Sequence, residues 1–452
     1  MSLQAKTGRS AIVSCLGWLH LGSVVLGWAL LPLAFAGIPV VDPIYGLFSA
    51  NLLLFVAFTF WRLPTRPKLS TAVMPILLAV AFLVTSHTVV TAPPHPYVAR
   101  VPVHGWMLRG QQLATSLSTE GFGSPGYFLL LMRSVGWTDI WLIGSFAIVY
   151  YCAANVPRPW VFGYLLLFPV CLAPTFEVTQ WITSLSHQVT IGQHPLVLRS
   201  AAIASFHPNV LAAQTLLYGS LAGAMIASTR RPAVKVALVL MVVVNVLCLF
   251  STLSRGTWFG ALLMLAAAPL LSEPKSPVRK YAAAGLLLLL PLAGAVILHR
   301  GGLVGDLAAR VVIWKQALRV FAAHPLFGAG FETYPVFTYG FTDTRYSHAH
   351  SIFLGALSEL GLVGTALVAW ACIVIIRKLS RLISTAPERA LRAQGFGVML
   401  GLTGLLAAGL WDYMLFLTPV VYFSILILAA IFGARQQCEL APSPAAPATS
   451  AS

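Results

Sequence analysis

His350-Ser351, followed after nine residues by Gly361-Leu362-Val363-Gly364, is the stretch whose residue types and spacing point most directly to chemistry. The histidine stands where a polar segment gives way to a long apolar run. An imidazole, with a reference pKa of about 6.5, can take a proton from an attacking hydroxyl near neutral pH. Arginines occupy the neighbouring polar segments, among them Arg199, Arg255, Arg310, Arg319 and Arg345. A guanidinium presents a planar fork of donors that fits a phosphate. A base beside fixed cations suits transfer to a hydroxyl with departure of an anionic group.

The elements that must position these groups are membrane helices. Hydrophobic residues make up 58% of the chain and charged residues 9%, against about 25% charged in a soluble domain; mean hydropathy is +0.85. Continuous apolar runs of about 20 residues cross a bilayer as helices, and the absence of alternation excludes a β-barrel. About twelve spans are expected, roughly 11–36, 44–61, 71–92, 137–155, 160–177, 208–229, 236–254, 257–272, 281–299, 351–376, 394–411 and 416–434. The predicted fold is an all-α polytopic membrane protein. Residues 1–437 form one helical domain with polar loops at 93–136, 178–207 and 300–350, and the Ala/Pro/Ser-rich tail 438–452 is a disordered cytoplasmic segment. The first apolar run is too long for a signal h-region and reads as an uncleaved span.

The net charge of +16 follows from topology rather than from a nucleic-acid partner. With the N-terminus inside, 18 of the 28 basic residues fall on the cytoplasmic side, as the positive-inside rule requires. The other ten are Arg100, Arg109, Arg133, Arg199, Arg255, Arg300, Arg310, Lys315, Arg319 and Arg345. They fall on the outer side, where topology gives no reason for them. The six cysteines lie in spans or the tail, with no metal spacing and no disulfide framework.

Within the 300–350 loop, Ala309–Ala323 has helical periodicity: Val311, Trp314, Leu318 and Phe321 form an apolar stripe with Arg310 at its edge, and Lys315 and Arg319 form a basic one. This predicts an amphipathic helix on the outer membrane surface, ended by His324-Pro325 and followed by a flexible turn, Phe327-Gly328-Ala329-Gly330-Phe331. Arg255 lies in a very short turn between two spans, which fixes its position. On a continuous helix from His350, Gly361 and Gly364 share the histidine's face and allow close packing, whereas Glu359 lies opposite, about 13 Å along, and is expected to have a structural partner. His348 and His350 have only Asp343 as a nearby preceding carboxylate, so neither a metal nor another cofactor is expected.

Four segments resemble the O-antigen ligase and O-antigen polymerase superfamily. Ser205-Phe206-His207-Pro208-Asn209 is similar to its Phe-x-Pro-Asn span entry, and Leu253-Ser254-Arg255-Gly256 to its Ser-Arg-Gly turn. Arg310-x3-Trp314 with His324-Pro325-Leu326-Phe327-Gly328-Ala329-Gly330 resembles its loop helix and Pro-x-x-Gly-x-Gly turn, and His350-Ser351 with Gly361 and Gly364 its terminal motif. Ser351 stands where many relatives have Asn. The resemblance implies a GT-C-like, metal-independent glycosyltransferase of the bacterial inner membrane with a periplasmic site. Its donor would be a glycan on undecaprenyl diphosphate. Its acceptor would be lipid A-core for a ligase or another lipid-linked glycan for a polymerase. His350 is then the expected base, Arg255 and Arg310 the catalytic diphosphate clamps, and Arg199, Trp314, Arg319 and Arg345 substrate contacts. The competing expectation is a polytopic transporter of a small anion or a lipid-linked glycan. It lacks support from paired broken helices in matching halves, and the charges gather at one surface.

Overall fold

In the computed structural model the described residues are 208–272, 278–299, 303–330, 334, 348–412, 424 and 427–435, with scattered positions between 146 and 183. The proposed spans before residue 137, the loop 93–136 and the tail lie outside them. The helices whose bounds lie among the described residues are, in order, α1 Pro208–Ser228, α2 Pro232–Thr252, α3 Arg255–Leu271, α4 Val278–His299, α5 Leu303–Ala323, α6 Ile352–Thr385 and α7 Arg389–Ala408. No strand occurs among the described residues.

Each boundary has a local cause. Pro232 occupies the first turn of α2, where its missing N–H costs nothing and its fixed φ suits the helix. Leu253 ends α2 in a left-handed conformation, φ 48°, its N–H bonded to the Phe250 carbonyl at 3.2 Å. Ser254 is extended and α3 begins at Arg255, so two residues reverse the chain. The expected rigid placement of Arg255 follows from that geometry. α5 stops at Ala323 ahead of Pro325 as expected, but starts at Leu303, six residues before the predicted periodicity. α6 also runs past its predicted end, to Thr385. Its backbone is broken at Gly361, and its last turns carry Arg377, Lys378 and Arg381.

Among the described residues, four helices are long and apolar enough to cross a membrane: Leu211–Ser228, Pro232–Thr252, Ile352–Thr385 and Arg389–Ala408. On α2, Val236, Leu240, Val243 and Leu247 recur at helical spacing and are all exposed, the stripe expected of a surface that faces lipid. The core lies between α1, α3 and α7, around Leu216, Leu217, Tyr218, Trp258 and Leu405. Its closest seam uses small residues. A Cβ on Gly401 would lie 2.7 Å from Ser220 Oγ and 2.8 Å from Leu217 Cα, and one on Gly260 only 2.4 Å from the Gly404 carbonyl oxygen. Ser220 Oγ–H crosses the seam to the Gly397 carbonyl at 2.8 Å. Close backbone approach replaces the hydrophobic drive that lipid removes. The N-terminal ends of α1, α3 and α6 and the C-terminal end of α7 gather at one end of the bundle. α5 packs on α6 near that end.

Candidate functional site

Asp412, four residues beyond α7, organises the polar cluster at that end. Its Oδ1 lies 3.1 Å from His348 Nε2 and 3.2 Å from His350 Nδ1, and the two rings are 4.2 Å apart. Asn209, in the first turn of α1, donates its Nδ2–H to the other carboxylate oxygen, Oδ2. The Asp412 side chain is 6% exposed. Burial works to raise its pKa, but the hydrogen bonds from His348 and His350, with the charge on those rings, outweigh it and hold the carboxyl well below the usual carboxylate range. An ionised carboxylate only accepts, so His348 donates from Nε2 and His350 from Nδ1. In the neutral form of that ring the second nitrogen of His350, Nε2, is the acceptor, on a side chain 25% exposed.

His350 has φ 46°, and the only other described non-glycine residue at positive φ is Leu253, two positions before Arg255. Left-handed backbone is unfavourable for a residue with a Cβ and survives where surrounding contacts over-determine it. Here the Ile352 N–H bonds to the Gly409 carbonyl at 2.7 Å, and the Trp314 indole N–H reaches the His350 carbonyl at 3.4 Å. Ile313, Ala317, Tyr334 and Ala349 close a small apolar core beneath.

Each of the two arginines has an aromatic residue one turn on. Phe259 follows Arg255 by four residues and Trp314 follows Arg310 by four, so each aromatic shares a helix face with its arginine. Trp411 lies between them, 6.4 Å from the Phe259 ring and 6.1 Å from the Trp314 ring. This aromatic bridge ties the start of α3 to α5. Arg310 Nη1 is buried without a hydrogen-bond partner among the described residues. A buried guanidinium nitrogen without an acceptor costs free energy, and an anion would supply that acceptor.

The structure therefore joins His350, Trp314, Arg310 and Arg255 at one end of the bundle. Arg319 is exposed on α5 beside Lys315, and no contact ties it to the histidine cluster. Arg199 and Arg345 lie outside the described residues. Two sequence-based readings change. His348 meets the same Asp412 oxygen as His350, so the histidines do have an acidic partner, drawn from 62 residues away. His350 is not helical, and Gly361, at φ 64° and ψ −168°, breaks α6. The shared-face argument for Gly361 and Gly364 fails because no continuous helix connects them to His350. The structural expectation for Glu359 holds: its Oε1 accepts the Tyr334 backbone N–H at 3.2 Å.

His348, His350 and Asp412 offer three ligand atoms within 4.8 Å of one another and could in principle hold a metal ion. As they stand, both ring nitrogens point at one carboxylate oxygen at hydrogen-bond distance, which uses the atoms a metal would need. The geometry suits a carboxylate-oriented imidazole. Asp412 and Asn209 were the functional candidates that sequence reasoning undervalued. Asp412 had one available signal: it is an acidic residue between two apolar runs, in a chain with only 12.

Fold and site define a helical membrane protein with a polar His-Asp-Asn cluster at one end of its helices. Residues 216–369 match the family model described as O-antigen ligase, about a third of the chain. The matched segment contains Arg255, Arg310, Trp314, His350 and Gly361, whereas Asn209 and Asp412 flank it. No curated protein matches the chain.

Proposed function

We propose that the protein is a metal-independent glycosyltransferase of the bacterial inner membrane, with its site on the periplasmic side, that transfers a glycan from undecaprenyl diphosphate to an acceptor hydroxyl. The acceptor is lipid A-core for a ligase or a second lipid-linked glycan for a polymerase. The observation that carries this reading is the His350–Asp412 pair, with the buried, unpartnered Arg310 Nη1 on the neighbouring helix. The periplasmic placement rests on charge: this end then opposes the basic turns at Arg230-Arg231 and Arg377-Lys378.

Each residue has one task. His350 Nε2 takes the acceptor's proton as the hydroxyl oxygen bonds to the anomeric carbon. Asp412, ionised and already bonded to Nδ1–H, holds the tautomer and stabilises the imidazolium that forms. The bond from the anomeric carbon to the diphosphate oxygen breaks, and its electron pair leaves with undecaprenyl diphosphate. Arg255 and Arg310 stabilise that growing charge from fixed positions. The proton passes to solvent from the partly exposed ring. Twelve spans in a single domain, as the apolar runs suggest, would surround this site. A transporter reading gains nothing from a strained histidine whose ring is oriented by a buried carboxylate.

Transfer by purified protein, with lipid-linked donor and acceptor supplied, tests the proposal. His350→Ala should reduce turnover by about 10³-fold or more while donor binding persists, since proton removal and diphosphate contact are separate tasks. Chelator should leave the wild-type rate unchanged. Near-normal turnover by His350→Ala would remove the base from the mechanism and bring the transporter back.

A further inference from the structure

The turn after α5 is built into the backbone ladder of α6. Gly361 interrupts that helix, so the bonds from the Leu362 and Val363 N–H groups to the Ser358 and Glu359 carbonyls cannot form. All four orphaned groups find partners in the turn. Leu362 N–H bonds to the Pro325 carbonyl at 2.9 Å and Val363 N–H to the Leu326 carbonyl at 3.0 Å. Ala329 N–H bonds to the Ser358 carbonyl and Gly330 N–H to the Glu359 carbonyl, both at 2.9 Å. Two lost helical bonds thus become four bonds to the turn.

The fit is tight from both sides. A Cβ on Gly328 would lie 2.3 Å from the Glu359 backbone, and one on Gly361 would lie 2.4 Å from Gly328 N. Both glycines have positive φ, 72° and 64°. A side chain at either position therefore meets strain and backbone overlap together. A second link runs beside the first. Tyr334 is fully buried; its hydroxyl donates to the Ile313 carbonyl on α5 at 3.0 Å, and its backbone N–H donates to Glu359 on α6.

We propose that this clasp is a positioning device: Gly328, Gly361 and Glu359 fix α5, with Arg310, relative to the outer half of α6 and the His350 turn that precedes it. The proposal rests on the functional reading above for what is positioned, and on the backbone geometry alone for the coupling. Arg310 and His350 come from separate elements and must meet one substrate, so an error of about 1 Å between them can lower turnover by about a hundredfold. Gly328, Gly361 and Glu359 need not touch the substrate to have that effect.

Two measurements on the full-length protein in lipid nanodiscs test the clasp. Spin labels replace Lys315 and Phe353, both exposed, one on α5 and one on α6, and the distance distribution is read by pulsed electron resonance. It should be narrow in otherwise wild-type protein, and broadened or shifted by Gly361→Ala, Gly328→Ala or Glu359→Leu. Glu359→Gln keeps an oxygen acceptor for Tyr334 and should keep the narrow distribution. Gly294→Ala, at a helix position with nothing within 4 Å of the added methyl, is the control. In the transfer assay the clasp variants should lose about tenfold to a hundredfold in kcat with donor KM changed by less than about twofold, and Glu359→Gln should recover most of the rate. Should the glycine variants fail to accumulate, the Glu359→Leu and Glu359→Gln pair decides. An unchanged distribution in Glu359→Leu and Gly361→Ala overturns the coupling. A broadened distribution with wild-type kcat overturns its positioning role. A wild-type protein that transfers no glycan sinks the functional reading, while the distance data still judge the clasp.

Discussion

The two ends of α7 show opposite uses of the same helix. Along its length, Gly397, Gly401 and Gly404 bring its backbone against α1 and α3, and Ser220 Oγ–H bonds across that contact to the Gly397 carbonyl. Just beyond its C-terminus, Asp412 is ionised and buried, two histidines and an asparagine converge on it, and His350 holds a left-handed backbone. Unfavourable features collect at the second region because the first is packed closely enough to hold them. Variants should therefore separate by degree: changes at the cluster should lower activity far more than stability, and changes in the seam should do the reverse.

The largest effect is expected at Asp412. Asp412→Asn should lower transfer by about 10³–10⁴-fold, because an amide can neither orient the imidazole in the right tautomer nor stabilise its cation. The wild-type pair also gives a signed pH prediction. The folded-state pKa of Asp412 lies below its ordinary value, so its stabilising contribution is complete above the usual carboxylate range and is lost as pH falls through the lowered value. A thermal-stability series from neutral to strongly acid pH should show an acid-dependent loss in wild type that shrinks in Asp412→Asn. An identical acid response in both proteins would show that the carboxylate does not couple to the fold.

A smaller loss is expected at the anion contact. Arg310→Ala should cost about 10²–10³-fold in turnover, comparable with removal of one preorganised donor to a developing anion. Arg310→Lys should recover only part of that, since an ammonium lacks the planar fork. Full recovery by lysine would leave a point charge but no bidentate contact. Arg230→Ala, at the opposite end of α1, is the control and should transfer normally.

The smallest effect on chemistry belongs to the seam. Gly401→Val should destabilise the protein by about 1–3 kcal/mol, seen as a lower melting temperature in detergent, because the new side chain overlaps Ser220 and Leu217. Transfer per folded molecule should stay within about twofold of wild type, far from the losses at the cluster. If Gly401→Val lost transfer as severely as Asp412→Asn, the seam and the cluster would be one functional unit.

The sequence by itself determined that the chain is helical and where several helices begin or end among the described residues, and it singled out His350, Arg255 and Arg310 as candidates for chemistry. Apolar run length, proline and charge asymmetry are local signals, and they were sufficient for the start at Pro208 and the stop before Pro325, whereas the start at Pro232 came four residues before the expected 236. Tertiary structure alone decided what surrounds His350. Asp412 and Asn209 lie 62 and 141 positions from it, and no local periodicity links such positions. Gly361 was read as a packing glycine because a sequence shows a helix's period but not where its backbone ladder is exchanged for another segment's. The turn at Pro325–Gly330, expected to be flexible, became fixed for the same reason: backbone groups orphaned in an apolar helix must find partners, and only the folded chain determines which ones.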